Sequence, residues 1–199
     1  IEEPVGNLIV DIGGGTTEIA VISLGGVVVS RSLRIAGDEM NEDIVRYARD
    51  AFNLLIGEKT AEEVKISIGS AYTLREPMTY PIRGRDLVSG LPKEIIATDE
   101  QIREALSHSI RIIVNNIKTI IEETPPELLS DIFQRGIILA GGGSLIRGLD
   151  RLLANQTGIP VRMMEDPLTA VVRGTGVVLE DMERLKEVLV EDHRGTPLR

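Results

Sequence analysis

The chain has 199 residues, enough for one large domain or two small ones. Its 42% hydrophobic content suits a packed interior, and with aromatics at only 3% that interior must be filled by Ile, Val and Leu. A formal charge of −9 argues against a protein that holds nucleic acid through a basic surface, the absence of cysteine excludes a disulfide framework, and no apolar run approaches the ~18 residues that would span a membrane.

Ile1 to Gly6 is a polar lead-in with no signal-peptide character; starting on Ile rather than Met, the chain reads as a fragment or a processed product. Leu8, Ile9 and Val10 then begin an apolar run of strand type. Asp11-Ile12-Gly13-Gly14-Gly15-Thr16-Thr17-Glu18 follows, and Ile19 to Ile22 is apolar again. The pattern predicts two strands around a glycine turn. Such a turn lets backbone approach a ligand closely, and its successive N–H groups form a concavity for an anion, usually phosphate. The hydroxyls of Thr16 and Thr17 add donors on the same rim. Asp11 lies within the apolar strand, where a lone carboxylate is costly, and a hydrated Mg²⁺ beside a phosphate would partner it. The plainer alternative is a glycine hairpin in which Asp11 caps backbone amides.

Leu24-Gly25-Gly26 reads as a turn and Val27 to Ile35 as a third strand, completing an antiparallel meander. Gly37-Asp38 opens a helix, with Asp38 as N-cap and Met40, Ile44, Val45, Ala48 and Phe52 on one face; Gly57 ends the segment. Thr60-Ala61-Glu62-Glu63 has the form of a capping box, and Val64 and Ile68 continue an apolar face. Glu62 and Lys65 project together, which by itself is read as a surface ion pair. Met78 to Ile82 and Glu94 to Ala97 read as a hairpin with a wide, turn-rich connection, its Arg83 and Arg85 taken as solvated loop charges.

Thr98-Asp99-Glu100-Gln101 is a second capping box, opening a long helix with Ile102, Leu106, Ile110, Ile113, Ile117 and Ile120 on one face and His108 on the surface. Pro125-Pro126 stops it, and Glu127 to Phe133 is a short helix. Gly136 to Ala140 reads as a buried strand running into Gly141-Gly142-Gly143-Ser144. Leu145, Ile146, Leu149, Leu152 and Leu153 follow at helical spacing, with Ser144 as N-cap. A glycine turn entering a helix N-terminus suits an anion or a nucleotide, and it equally suits a plain strand–turn–helix junction. Gly158 reads as a C-cap, Pro160 to Met164 as a strand, and Thr169 to Leu179 as a closely packed helix. The charged tail from Glu180 extends that helix, with Asp192 to Arg199 disordered.

Taken together, these residues resemble MreB, the bacterial actin homologue. The resemblance is carried by Asp11 to Glu18 with Ala20-Val21-Ile22-Ser23, by Leu54 to Glu62, and by Arg83-Gly84-Arg85-Asp86. It continues in Thr124 to Ile132, Arg135-Gly136, Gly141 to Asp150 and Asp166 to Val171, so that it covers nearly the whole chain. The DxGGGT run alone is shared with sugar kinases and heat-shock chaperones; the longer blocks are more specific.

The resemblance implies an α/β fold, an actin-like (ribonuclease H-like) ATPase subdomain with a small α+β subdomain inserted, corresponding to the second lobe of an actin. Residues 1–36 and 98–180 would form the larger, nucleotide-binding subdomain, 37–97 the small peripheral one, and 181–199 a charged tail. ATP with Mg²⁺ is the implied ligand. Gly13, Gly14, Gly15, Thr16 and Thr17 would hold the β- and γ-phosphates, and Asp11 the Mg²⁺ through water. Gly37 belongs to the same nucleotide-binding set. Glu62, Glu63, Val64 and Lys65 would face ribose and adenine, and Gly141, Gly142, Gly143, Ser144 and Leu145 the adenosine. The family's catalytic glutamate, second phosphate loop and membrane-binding segment belong to the first lobe, and Glu2 and Glu3 are not assigned to catalysis.

The implied function is a cytoplasmic filament subunit, membrane-associated when assembled, that maintains rod shape by organising cell-wall synthesis. Its partners would be itself, cell-wall synthesis and RodZ-like membrane proteins, and not nucleic acid. The alternatives are a sugar kinase, for which no catalytic carboxylate signature is visible, and a chaperone ATPase, whose Phe-Asp after GGGT is Thr17-Glu18 here.

Overall fold

The computed structural model describes residues 5–180. The expectations for the lead-in before Val5, for Glu2 and Glu3, and for the tail at 181–199 lie outside them. Three antiparallel strands come first: β1 (Asn7–Ile12), β2 (Thr17–Ser23) and β3 (Gly26–Leu33). Alternation along them puts Leu8, Val10, Ile12, Ile19 and Val21 fully inside. β7 (Ile137–Ala140) joins β1 in parallel and β8 (Val161–Met163) joins β7, giving a five-stranded sheet in the order β3-β2-β1-β7-β8. A second sheet has the order β4-β5-β6, from Leu54–Leu55, Thr79–Asp86 and Pro92–Thr98.

Helix α3 (Asp99–Glu123) runs against β2, β3 and helix α1 (Gly37–Phe52). Its six predicted apolar positions are all buried, and His108 is exposed. Its capping box is real: Thr98 accepts from the Gln101 N–H at 3.3 Å and Gln101 accepts from the Thr98 N–H at 2.9 Å. Buried Asp43 of α1 accepts a 2.5 Å hydrogen bond from the buried Ser109 hydroxyl of α3, fixing the two helices in register. Helix α4 (Pro126–Arg135) starts on the proline pair, and α5 (Leu149–Thr157) ends on Gly158 at φ 72°. The core is one continuous cluster of Ile, Leu, Val, Ala and Met drawn from both sheets and all helices up to α5.

Several local expectations are corrected. Asp38 does not cap α1; the N-cap is Ala36 with no side-chain bond, and Asp38 sits in the first turn. That helix ends at Asn53 in the left-handed region, and Gly57 instead precedes helix α2 (Glu58–Ile68). Thr60 therefore lies inside α2 and forms no capping box, because the buried Ala61–Val64–Ile68 stripe starts the helix earlier. Ser144 caps no helix: Gly142–Leu145 is a 3-10 turn, and α5 begins only after Gly148 at φ 74°. The β5–β6 connection is short, since β5 continues to Asp86, which accepts from the Val88 and Ser89 N–H groups and binds Lys93. Helix α6 (Ala170–Glu180) forms as predicted but is not closely packed; among the described residues none of its side chains is buried.

Candidate functional site

The β1–β2 turn is closed by a 2.9 Å bond from the Gly13 N–H to the Thr16 carbonyl. It is docked on the start of α1, where Gly37 and Asp38 donate to the Gly13 and Gly14 carbonyls at 3.0 and 2.9 Å. Among the described residues, the next three N–H groups, those of Gly14, Gly15 and Thr16, donate to no acceptor, and all three residues are exposed. Consecutive free amides on a tight turn are an anion-binding surface. A side chain at Gly37 would press on the Gly13 carbonyl and the Lys65 ammonium, 3.2 and 3.3 Å from its Cβ, so glycine keeps this junction closed.

Beside the loop, Asp11 and Glu18 stand directly opposite each other on β1 and β2 and therefore project from the same face. Asp11 is half-buried, and its carboxylate has no hydrogen bond or ion pair among the described residues. Burial first, and the neighbouring Glu18 second, push its pKa above the ordinary 3.8. Gly141, at φ 78°, lies so close that any side chain there would strike the Asp11 carboxylate and the Ile12 backbone. The second glycine turn is thereby pressed against the end of β1. Buried Ser144 donates its hydroxyl to the Gly141 carbonyl at 2.6 Å, and the Gly141 N–H donates to Pro167 at 2.9 Å.

The third wall is α2. Lys65 is half-buried and donates to the Gly37 carbonyl at 2.7 Å. Desolvation lowers its pKa, opposed by Glu62, Asp38 and Glu58. No Glu62–Lys65 ion pair forms, so the plain surface-pair reading of those residues is set aside.

These elements enclose one cleft of about 810 Å³. Asp11, Gly13, Gly14, Thr16, Gly37, Glu62, Lys65, Gly141, Gly142, Gly143 and Leu145 all line it, although they come from four separate stretches of sequence. Gly15 lies on the exposed turn outside that lining. Thr17 is buried with its hydroxyl committed to the Ile35 carbonyl at 2.7 Å, Val64 is in the core, Glu63 points to solvent, and Ser144 is turned inward; these four do not line it. The lining combines glycine backbone and the carboxylates of Asp11, Glu18 and Asp38 with apolar side chains: Ile66, Leu145, Leu168 and Val171, exposed by 65, 48, 69 and 65%, together with Ile146 and Pro167. Free amides and apolar side chains in one cleft match a molecule with a polyphosphate and a flat base.

Residues 1–187 match the MreB/Mbl protein family. The chain belongs to that family. It is 47% identical over 185 residues to the cell shape-determining protein Mbl of Bacillus subtilis, covering 93% of this chain and 56% of that protein. It is 51% identical over 180 residues to the cell shape-determining protein MreB of Escherichia coli, covering 90% and 52%. Among solved structures it is similar to MreB5 of Spiroplasma citri bound to AMPPNP, with a TM-score of 0.89, 42% identity and coverage of 94% and 56%. The same MreB5 bound to ADP gives a TM-score of 0.88. A double-helical MamK filament gives 0.74 at 27% identity, covering 88% and 54%. The fold is therefore actin-like α/β, and this MreB/Mbl chain spans about half the length of the relatives it matches.

Sequence reasoning missed Glu18, Ile66, Ile146, Pro167, Leu168 and Val171 as cleft residues, and gave Asp38 a capping role instead of its place on the cleft wall. Only Glu18 carried a local signal, since a glycine turn of known length fixes which residue faces Asp11 across the hairpin.

Proposed function

We propose that the chain is the nucleotide-binding second lobe of an actin-like filament subunit that binds ATP and maintains rod cell shape by organising cell-wall synthesis. The observation that carries this reading is the single cleft built by two glycine turns and α2. The named relatives support it: cell shape-determining proteins, a family member bound to AMPPNP or ADP, and a filament. In this reading residues 1–36 and 98–180 form the larger subdomain and 37–97 the smaller one. The intact protein is a slow Mg-dependent ATPase; it works as cytoplasmic filaments at the membrane, with itself, cell-wall synthesis and RodZ-like membrane proteins as partners.

The phosphates sit on the free amides of Gly14, Gly15 and Thr16. The adenine enters the slot of Ile66, Leu145, Leu168 and Val171, and Glu62 faces the ribose. Asp11, Glu18, Asp38 and Glu62 set four carboxylates against the single ammonium of Lys65 within the lining, so a polyphosphate enters favourably only with a cation. Half-buried, unpartnered Asp11 fits a hydrated Mg²⁺, which would neutralise phosphate charge. The test is calorimetric titration of the intact protein with ATP, with and without Mg²⁺, followed by sedimentation. Binding that requires Mg²⁺ and a pellet that requires Mg-ATP are expected. A protein that ignores ATP, or binds it as well in EDTA, would refute the assignment.

A further inference from the structure

The apolar slot is lined from two separate elements. Ile66 comes from α2, Leu145 and Ile146 from the second glycine turn. The next residue, Arg147, joins the two elements without itself lining the cleft. Its guanidinium Nη1 donates to the Ile66 carbonyl at 2.9 Å and to the Gly69 carbonyl at 3.5 Å. These carbonyls belong to the last turn of α2 and the residue that caps it, where acceptors lack helical partners and a cation is favoured. The Arg147 carbonyl accepts from the Ala71 N–H at 2.8 Å, within a parallel bridge between Ser70 and Arg147. Gly148 then turns at φ 74° directly over Tyr72, where an added Cβ would lie 2.7 Å from the Tyr72 Cβ. From the other side Arg103 of α3 donates to the Ser70 hydroxyl at 3.2 Å and to Asp99 at 3.1 Å.

We propose that Arg147 is a positioning residue for the base end of the cleft: by tying the C-terminus of α2 to the second glycine turn, it sets the width of the slot between Ile66 and Leu145. The inference rests on the nucleotide reading above. The phosphate end lies on the β1–β2 turn, which Arg147 does not touch. Loss of the tie therefore weakens whatever needs the base slot and spares whatever needs only the amides.

The test uses the intact protein and two probes, Mg-ADP and Mg-pyrophosphate, titrated calorimetrically into parent, Arg147→Met and Arg147→Lys. Methionine keeps an unbranched stem and removes every donor; lysine returns a single donating group, the ammonium. For Arg147→Met, Mg-ADP affinity should fall about tenfold while Mg-pyrophosphate affinity stays within about twofold, and lysine should recover much of the loss. Parallel loss of both affinities with a lowered melting temperature would make Arg147 merely structural and overturn the proposal, as would unchanged Mg-ADP affinity. A parent that binds Mg-pyrophosphate but gains nothing from the adenosine of ADP would remove the base slot itself. A parent that binds neither would instead sink the nucleotide reading.

Discussion

At Asp11 the half-buried carboxylate faces Glu18 across the β1–β2 pair and has no donor to satisfy it among the described residues. Its pKa is raised in the folded protein, so above the ordinary 3.8 the fold retains a proton that the unfolded chain releases. Stability therefore falls as pH rises through the window from 3.8 to that higher value, and the loss persists at neutral pH. Asp11→Asn should raise the melting temperature of the nucleotide-free protein at pH 7 by a degree or two, about 0.5 kcal/mol for a group this exposed. The gain should vanish as the pH is lowered below 3.8. The same variant should lose most Mg-dependent ATP turnover, a trade of function for stability. Thermal melts between pH 3 and 8, with a phosphate-release assay, check both halves. At Gly14 the Asp38 carboxylate would lie 3.6 Å from an added Cβ, an ordinary contact, so Gly14→Val should fold normally. Its side chain would crowd the anion's place between that carboxylate and the amides. Mg-ATP affinity should drop by at least about tenfold, while circular dichroism is unchanged.

Among the elements, the helices show where local sequence is informative and where it is not. Thr98 and Thr60 both have Glu or Gln three residues on, and only Thr98 is a cap. A capping motif states that a helix can start there; the buried stripe Ala61–Val64–Ile68 decides that α2 has already started. Thr98→Ala should therefore cost about 1 kcal/mol in urea denaturation, and Thr60→Ala should stay within about 0.5. The strands and the two glycine turns were legible because alternation and turn chemistry are local signals. The cleft was legible at its two glycine turns with Asp11, Thr16 and Leu145, and at α2. Leu168 and Val171 enter it by the path of the chain after β8, and the Lys65 bond to Gly37 spans 28 residues; neither follows from spacing. The helix after the second glycine turn starts at Leu149 and not at Leu145, although Leu145, Ile146 and Leu149 keep helical intervals through a bend made by Gly148.

For the molecule as a whole, the core is continuous through both sheets and five helices, which is the condition for a single cooperative unit. The cleft is different: four of its apolar residues are roughly half to two-thirds exposed, and its curated relatives are nearly twice as long as the matched region. A ligand held only on this side keeps part of its contacts, and each 1.4 kcal/mol lost is about a tenfold fall in affinity. Turnover depends still more steeply on placing a water against the phosphate, which the amides of one turn do not do. Head-to-tail assembly needs two different faces on each subunit. Residues 1–199 expressed alone should thus unfold in one transition, bind Mg-ATP more weakly than the intact protein, release phosphate at a negligible rate, and leave no filaments in the pellet. Circular dichroism melts, phosphate release and sedimentation, run beside the intact protein, decide it. If residues 1–199 alone turn over ATP at the rate of the intact protein, the catalytic group lies inside this cleft, and the roles given to Asp11, Glu18 and Asp38 must be redrawn.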